Sequence, residues 1–126
     1  MYGVNTWEQV RGLQVRFNKV VDAPDIEIER VHPLQQRYVK KIHDVLVNDC
    51  RVKRVILFGS STNMRCTIYS DLDLLVVMHD VSNQAKLSVS EMIQEACDWK
   101  ADIVWYDRLC TNERIVEEAR MGVIIK

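Results

Sequence analysis

The chain has 126 residues, of which 48% are apolar and 28% charged, and its net charge at neutral pH is −1. This length and composition fit one ordinary globular domain, and the balanced charge argues against a protein that lives on the phosphate backbone of DNA or RNA. No apolar run is long enough to span a bilayer, and the N-terminus lacks the basic-then-apolar order of a signal peptide. Cys50, Cys66, Cys97 and Cys110 are widely spaced and have no zinc-type pairing with His32, His43 or His79, so they read as reduced thiols. A soluble, cytoplasmic protein is expected.

In chain order, residues 6–22 predict an amphipathic helix. Thr6 and Gln9 would form a capping box, with Trp7, Val10, Leu13, Phe17, Val20 and Val21 on one face. Ala23-Pro24-Asp25 breaks it, and the period-two alternation of residues 26–31 predicts a short edge strand. Pro33 opens a second helix with Leu34, Tyr38, Ile42, Val45 and Leu46 as its buried stripe, ended by Asn48-Asp49. Residues 52–58 and 72–79 read as strands too apolar to be anything but central, and residues 103–106 as a third. Between the last two, Ser88 and Glu91 predict a helix start, with Val89, Met92, Ile93, Ala96 and Cys97 as its stripe. Residues 111–121 predict a final helix, capped by Thr111 or Asn112 and stopped by Gly122, after which Val123-Ile124-Ile125 adds a short strand or docks on the core. The expected fold class is α/β (α+β), a small mixed β-sheet flanked by helices.

The most informative stretch is Leu57-Phe58-Gly59-Ser60, followed after ten residues by Asp71-Leu72-Asp73-Leu74-Leu75-Val76. Aspartate is depleted in strands and costly to place unpaired in apolar surroundings, so two at the mouth of an apolar strand call for a reason. Strand side chains alternate between faces; Asp71 and Asp73 therefore point the same way and can converge on one cation. Mg²⁺ suits such a site, because it takes oxygen ligands from one or two carboxylates plus substrate phosphates.

This spacing resembles the minimal nucleotidyltransferases of the DNA polymerase β superfamily, whose fingerprint is Gly-Ser, ten residues, Asp-x-Asp. The resemblance covers roughly residues 33–122. It implies a single nucleotidyltransferase domain over 1–126, with 33–122 as catalytic core and 1–32 as an extension of one helix and a short strand. The family has a third carboxylate on a neighbouring strand. Asp102 stands where that strand begins, and Asp98 would exchange with it if the strand started earlier.

The resemblance further implies Asp71, Asp73 and Asp102 as catalytic and metal-holding residues for two Mg²⁺ ions, with ATP or another nucleoside triphosphate as donor. Gly59 would let the backbone approach the triphosphate, and Ser60 would offer a hydroxyl and an N–H, aided by a helix N-terminus just after it. The family's Ala-Arg-Gly stretch is replaced by Thr62-Asn63-Met64, so Arg65 either substitutes as phosphate contact or is a solvated loop residue. Family members of this size imply transfer of AMP to a tyrosine of a helical HEPN-type toxin. Two alternatives are an aminoglycoside-type enzyme, with a homodimer completing its site, and a nucleotide-binding module without turnover. No membrane contact and no extended nucleic-acid binding are expected.

Overall fold

The computed structural model describes residues 15–109 and 113–126. Its elements are helix α1 (Pro33–Leu46), strand β1 (Val52–Phe58), strand β2 (Leu72–Met78), helix α2 (Asn83–Ala96), strand β3 (Ala101–Trp105), helix α3 (Glu113–Arg120) and strand β4 (Val123–Ile124). Single 3₁₀ turns cover Ile28–Arg30, Gly59–Thr62 and Tyr106–Arg108. The strands form one mixed sheet in the order β3-β2-β1-β4. β1 runs antiparallel to β2 and β4, whereas β3 lies parallel to β2, with α2 as the crossover that a parallel pair requires.

The two sheet faces are covered unequally. Val55 and Leu57 of β1 and Leu72, Leu74, Val76 and Met78 of β2 pack with Val39, Ile42 and Leu46 of α1 and Val89 and Ile93 of α2. Burying each of these side chains contributes about 1.5–3 kcal/mol. The opposite face carries a smaller cluster, in which Ala119 and Ile115 of α3 meet Phe58, Leu75, Ile56 and Val104. At the far end of α2, Lys86 is buried by an ion pair with Asp107 and lies 5.7 Å from the Trp105 ring centroid. The Lys86 ammonium holds the Asp107 carboxyl below its usual range. Among the described residues no helix is long and apolar enough to cross a membrane.

Several expected elements differ. Residues 15–22 of the predicted N-terminal helix are irregular, and residues 6–14, with Thr6, Trp7, Val10 and Leu13, lie outside the described residues. The predicted strand at 26–31 is a turn followed by the 3₁₀ turn Ile28–Arg30. Ile26, Ile28 and Val31 are buried in the main core, a spacing that two successive turns satisfy as well as a strand does.

The buried stripe of α1 is rotated from the expected one. Leu34 and Val45 are exposed, and Gln35 and Gln36 are buried instead. Buried amides are tolerated where they are hydrogen-bonded. Gln36 Nε2 donates to the carbonyls of Asn18 (2.8 Å) and Val31 (2.9 Å), while its Oε1 accepts from Val20 N (2.8 Å).

Helix α2 begins six residues before the expected Ser88, because the Ser82 hydroxyl accepts from Ala85 N at 3.2 Å and caps it there. Tyr106, the last residue of the predicted third strand, is exposed and begins the 3₁₀ turn Tyr106–Arg108. The proposed caps Thr111 and Asn112, like Cys110, fall outside the described residues; Cys66 and Cys97 are buried thiols and Cys50 is exposed.

Gly122 ends α3 through lack of space. A Cβ there would lie 2.3 Å from the Leu57 carbonyl oxygen and 2.8 Å from Ile56 Cγ2. Replacing Gly122 with alanine would push α3 away from β1. Overpacking of this kind costs about 1–3 kcal/mol, so the Gly122→Ala midpoint in a urea titration is expected to fall correspondingly.

Candidate functional site

The candidate site lies on the thinly covered sheet face, at the end where β1 leaves the sheet. β1 has no side chain after Phe58 that would obstruct the start of β2, because Gly59 follows with φ +77°. This left-handed conformation favours glycine. Space requires it as well, since a Cβ on Gly59 would come 2.3 Å from Asp73 Oδ2. The turn backbone therefore rests directly against a carboxylate.

Asp73 is the residue on β2 opposite Phe58 of β1 and beside Asp102 of β3. Its neighbours in sequence, Leu72 and Leu74, belong to the main core on the other face, so alternation turns Asp73 toward the open side. Asp71 stands immediately before the strand and is exposed, as is Asp102. Burial, followed by repulsion from Asp102, Asp71 and Glu118, pushes the Asp73 carboxyl up to about 6. The three sequence-predicted aspartates are thus brought together electrostatically. They are not drawn into a ready-made cage: among the described residues no group of three or more His, Cys, Asp or Glu side chains is closed around a metal-sized point. Like charges held near one another repel until a cation is added.

The alternative third carboxylate is placed elsewhere. Asp98 sits beyond the end of α2 with φ +54° and accepts a hydrogen bond from Tyr38 Oη at 3.2 Å. Asp102 is the residue in register with Asp73.

The turn after Gly59 is shaped by its own polar side chains. Thr62 Oγ1 and Asn63 Nδ2 both donate to the Gly59 carbonyl, at 2.8 and 3.3 Å. Ser61 is fully buried and donates through Oγ to the Asp71 carbonyl at 3.3 Å, tying the turn to the start of β2. The Ser61 carbonyl accepts from His32 N at 2.7 Å, and Gln35 Nε2 donates to Ser70 O at 3.0 Å. Both bonds fasten the loop to the beginning of α1. The expected helix N-terminus after Ser60 is only the 3₁₀ turn Gly59–Thr62, so Ser60 has backbone N–H groups near it but no helix dipole. Asn63 is folded back onto the loop, and its Oδ1 accepts from Arg65 N at 2.8 Å. Arg65 is exposed, with no partner for its guanidinium among the described residues, and is not brought into contact with the aspartates.

Glu118 is the residue that sequence reasoning missed. It precedes the core residue Ala119 on α3, its carboxylate adds to the repulsion at Asp73, and it is paired with Arg114 at 3.2 Å. The available signal was its position one residue from an apolar anchor on a helix that had to cover the open face.

The family model described as polymerase beta, nucleotidyltransferase, matches residues 40–125. Among solved structures, the fold is similar to a chain of a mutant MntA toxin–antitoxin complex. The two are 20% identical with a TM-score of 0.54, and the match covers 70% of this chain and 72% of that one. A toxin–antitoxin structure with AMP-PNP is 21% identical with a TM-score of 0.54, over 70% of this chain and 72% of that one. The complex of tri-AMPylated Shewanella oneidensis HEPN toxin with MNT antitoxin is 23% identical with a TM-score of 0.50, over 73% and 71%. No curated protein matches the chain. At such identities the structural likeness is one of fold. The family match extends over both motif strands and the strand bearing Asp102, and by it the chain belongs to the polymerase beta nucleotidyltransferase family.

Proposed function

We propose that this chain is a magnesium-dependent nucleotidyltransferase that moves AMP from ATP onto a tyrosine hydroxyl of a helical HEPN-type toxin, and so acts as an antitoxin. The observation that carries this reading is the set of three mutually repelling aspartates at the start of β2 and β3, with Asp73 in register with Asp102 and against the Gly59 backbone. The partner class is supported by the solved structures of similar fold, which are toxin–antitoxin complexes, one with AMP-PNP and one with an AMPylated toxin.

The donor set fits a hard divalent cation. All three groups offer carboxylate oxygens, and their mutual repulsion at Asp73 is what a cation would relieve. Asp71, Asp73 and Asp102 would hold the Mg²⁺. When bound, the metal supplies stabilisation of the charge that builds on the attacking and leaving oxygens at the α-phosphorus.

The chain's own residues do the rest. Asp102, exposed at the rim, accepts the proton lost by the attacking hydroxyl. The new bond joins that oxygen to phosphorus, and the bond to pyrophosphate breaks. Gly59 admits the triphosphate to the turn backbone, and Ser60 offers its hydroxyl and N–H to the β- and γ-phosphate oxygens. Arg65 is the only lysine or arginine between Gly59 and Asp73 and takes the role of phosphate contact in place of the family arginine.

Asp73→Asn is expected to abolish Mg²⁺-dependent transfer of label from α-labelled ATP while leaving the far-ultraviolet circular dichroism unchanged; undiminished labelling refutes the assignment. Arg65→Ala is expected to raise the KM for ATP about tenfold, the scale of a lost charge-assisted hydrogen bond, with kcat little altered. A stability measurement gives a separate check. The folded-state pKa of Asp73, about 6, lies above its ordinary value of 3.8, so the folded state binds the extra proton. Its contribution is fully present below about pH 4 and is lost as pH rises through about 6. In metal-free protein, Asp73→Asn should therefore raise the melting temperature at pH 7 relative to the parent, with the gain vanishing near pH 4.

A further inference from the structure

Asp71 is the one aspartate of the three that the sheet does not hold. β2 begins at Leu72, whose partner across the parallel ladder is Ala101, so Asp71 stands outside the pairing that sets Asp73 beside Asp102. Loop backbone is more mobile than strand backbone, whereas a cation site needs its ligands held closely.

The backbone on either side of Asp71 is tied down from distant parts of the chain. Before it, Gln35 Nε2 donates to Ser70 O at 3.0 Å and Lys100 Nζ donates to Ile68 O at 3.1 Å. After it, Leu72 N donates to Lys100 O at 2.9 Å. Lys100, two residues before Asp102, thus reaches the loop with its side chain and β2 with its main chain.

The two side chains form one clamp. Gln35 and Tyr38 are three residues apart on α1 and share a face, and the Lys100 ammonium lies 5.2 Å from the Tyr38 ring centroid, within reach of a cation–π attraction. Tyr38 Oη donates to Asp98 at 3.2 Å, which anchors the turn that carries Lys100. Gln94 of α2 holds the same turn: its backbone carbonyl accepts from Trp99 N at 2.8 Å, and its side-chain amide exchanges hydrogen bonds of 2.8 and 3.1 Å with Ala101. Lys100 therefore projects from a turn bonded to both helices. Gln35 is 1% exposed, and a buried amide is costly unless hydrogen-bonded. Its bond to the backbone goes to the residue just before Asp71.

We propose that Gln35 and Lys100 are positioning residues for the metal, holding residues 66–70 so that Asp71 reaches the cation shared with Asp73 and Asp102. The inference rests on the proposed function and deepens it by naming groups that act through Asp71. An ammonium cannot ligate a cation, and the Gln35 amide is spent on the loop backbone. Both work through main-chain position.

The test uses the full chain with Mg²⁺ as probe, its binding measured by calorimetry and the loop followed by amide hydrogen exchange. Gln35→Met and Lys100→Met keep side-chain bulk and lose the donors. In each, exchange over residues 66–72 should quicken, and the dissociation constant for Mg²⁺ should rise about tenfold, the scale of one lost hydrogen bond. Lys100→Arg, which keeps a donor and the ring contact, should restore both. In the transfer assay, the methionine variants should need correspondingly more Mg²⁺ for half-maximal rate, with kcat at saturating Mg²⁺ near that of the parent. Faster exchange with unchanged Mg²⁺ affinity overturns the inference, because the clamp then serves only the loop; unchanged exchange overturns it too. A parent chain that binds no Mg²⁺ sinks the inference and the metal-dependent reading together. Mg²⁺ binding that weakens as stated, in a chain that transfers no label, leaves the positioning role standing and sinks the transfer reaction alone.

Discussion

The close approach of the Gly59 backbone to the Asp73 carboxylate is the constraint on which the site depends. A carboxylate half removed from water beside two others is unfavourable, and the chain accepts this at one point of an otherwise apolar sheet. The surrounding structure fixes the arrangement from three directions. β1 delivers the glycine, β3 places Asp102 alongside, and the buried Ser61 hydroxyl links the turn to the Asp71 carbonyl. None of these can shift alone, because the strands are held by a core continuous with α1 and α2. The well-packed face supports the open one that carries the aspartates.

The division of the sheet into a packed and an open face explains where chemistry can occur. Two helices bury the first face over β1 and β2, whereas α3 covers only part of the second through Ala119 and Ile115. Residues of one strand thus serve opposite ends: Leu72 and Leu74 stabilise the fold, and Asp73 between them faces the open side. A register slip of one residue would exchange these roles, and the apolar demand of the packed face forbids it.

The central strands, the helix after Pro33 and the Gly-Ser/Asp-x-Asp pairing were legible in the sequence because their signals are local and mutually consistent. Apolar runs such as 55–58 and 74–78 have few alternatives, and ten residues are enough to return a chain from one strand to the start of its neighbour. What was not legible depended on partners distant in sequence. Gln35 and Gln36 look like surface residues until the carbonyls of Ser70, Asn18 and Val31 are placed around them. The alternation at 26–31 carried no information about whether a sheet edge was free to receive it; the flanking positions belong to β3 and β4. Ser88 was the expected cap, and the helix starts instead at Ser82, whose hydroxyl accepts from the amide of Ala85, a residue buried in the core. For the candidate site, the spacing suggested Asp71 and Asp73, the parallel register places Asp102 rather than Asp98 beside Asp73, and Glu118 required knowledge of which face α3 covers.

The hydrogen bond from His32 to the Ser61 carbonyl gives the segment before α1 a mechanical connection to the glycine turn. The same segment is tethered by Phe17 N to Glu29 O and by the Gln36 amide, and the Phe17 ring lies against the His32 imidazole. The arm and the glycine turn are thus joined by a short line of contacts, from Phe17 through His32 to the Ser61 carbonyl. A substitution at Phe17 or His32 therefore bears on the backbone of the glycine turn without touching an aspartate.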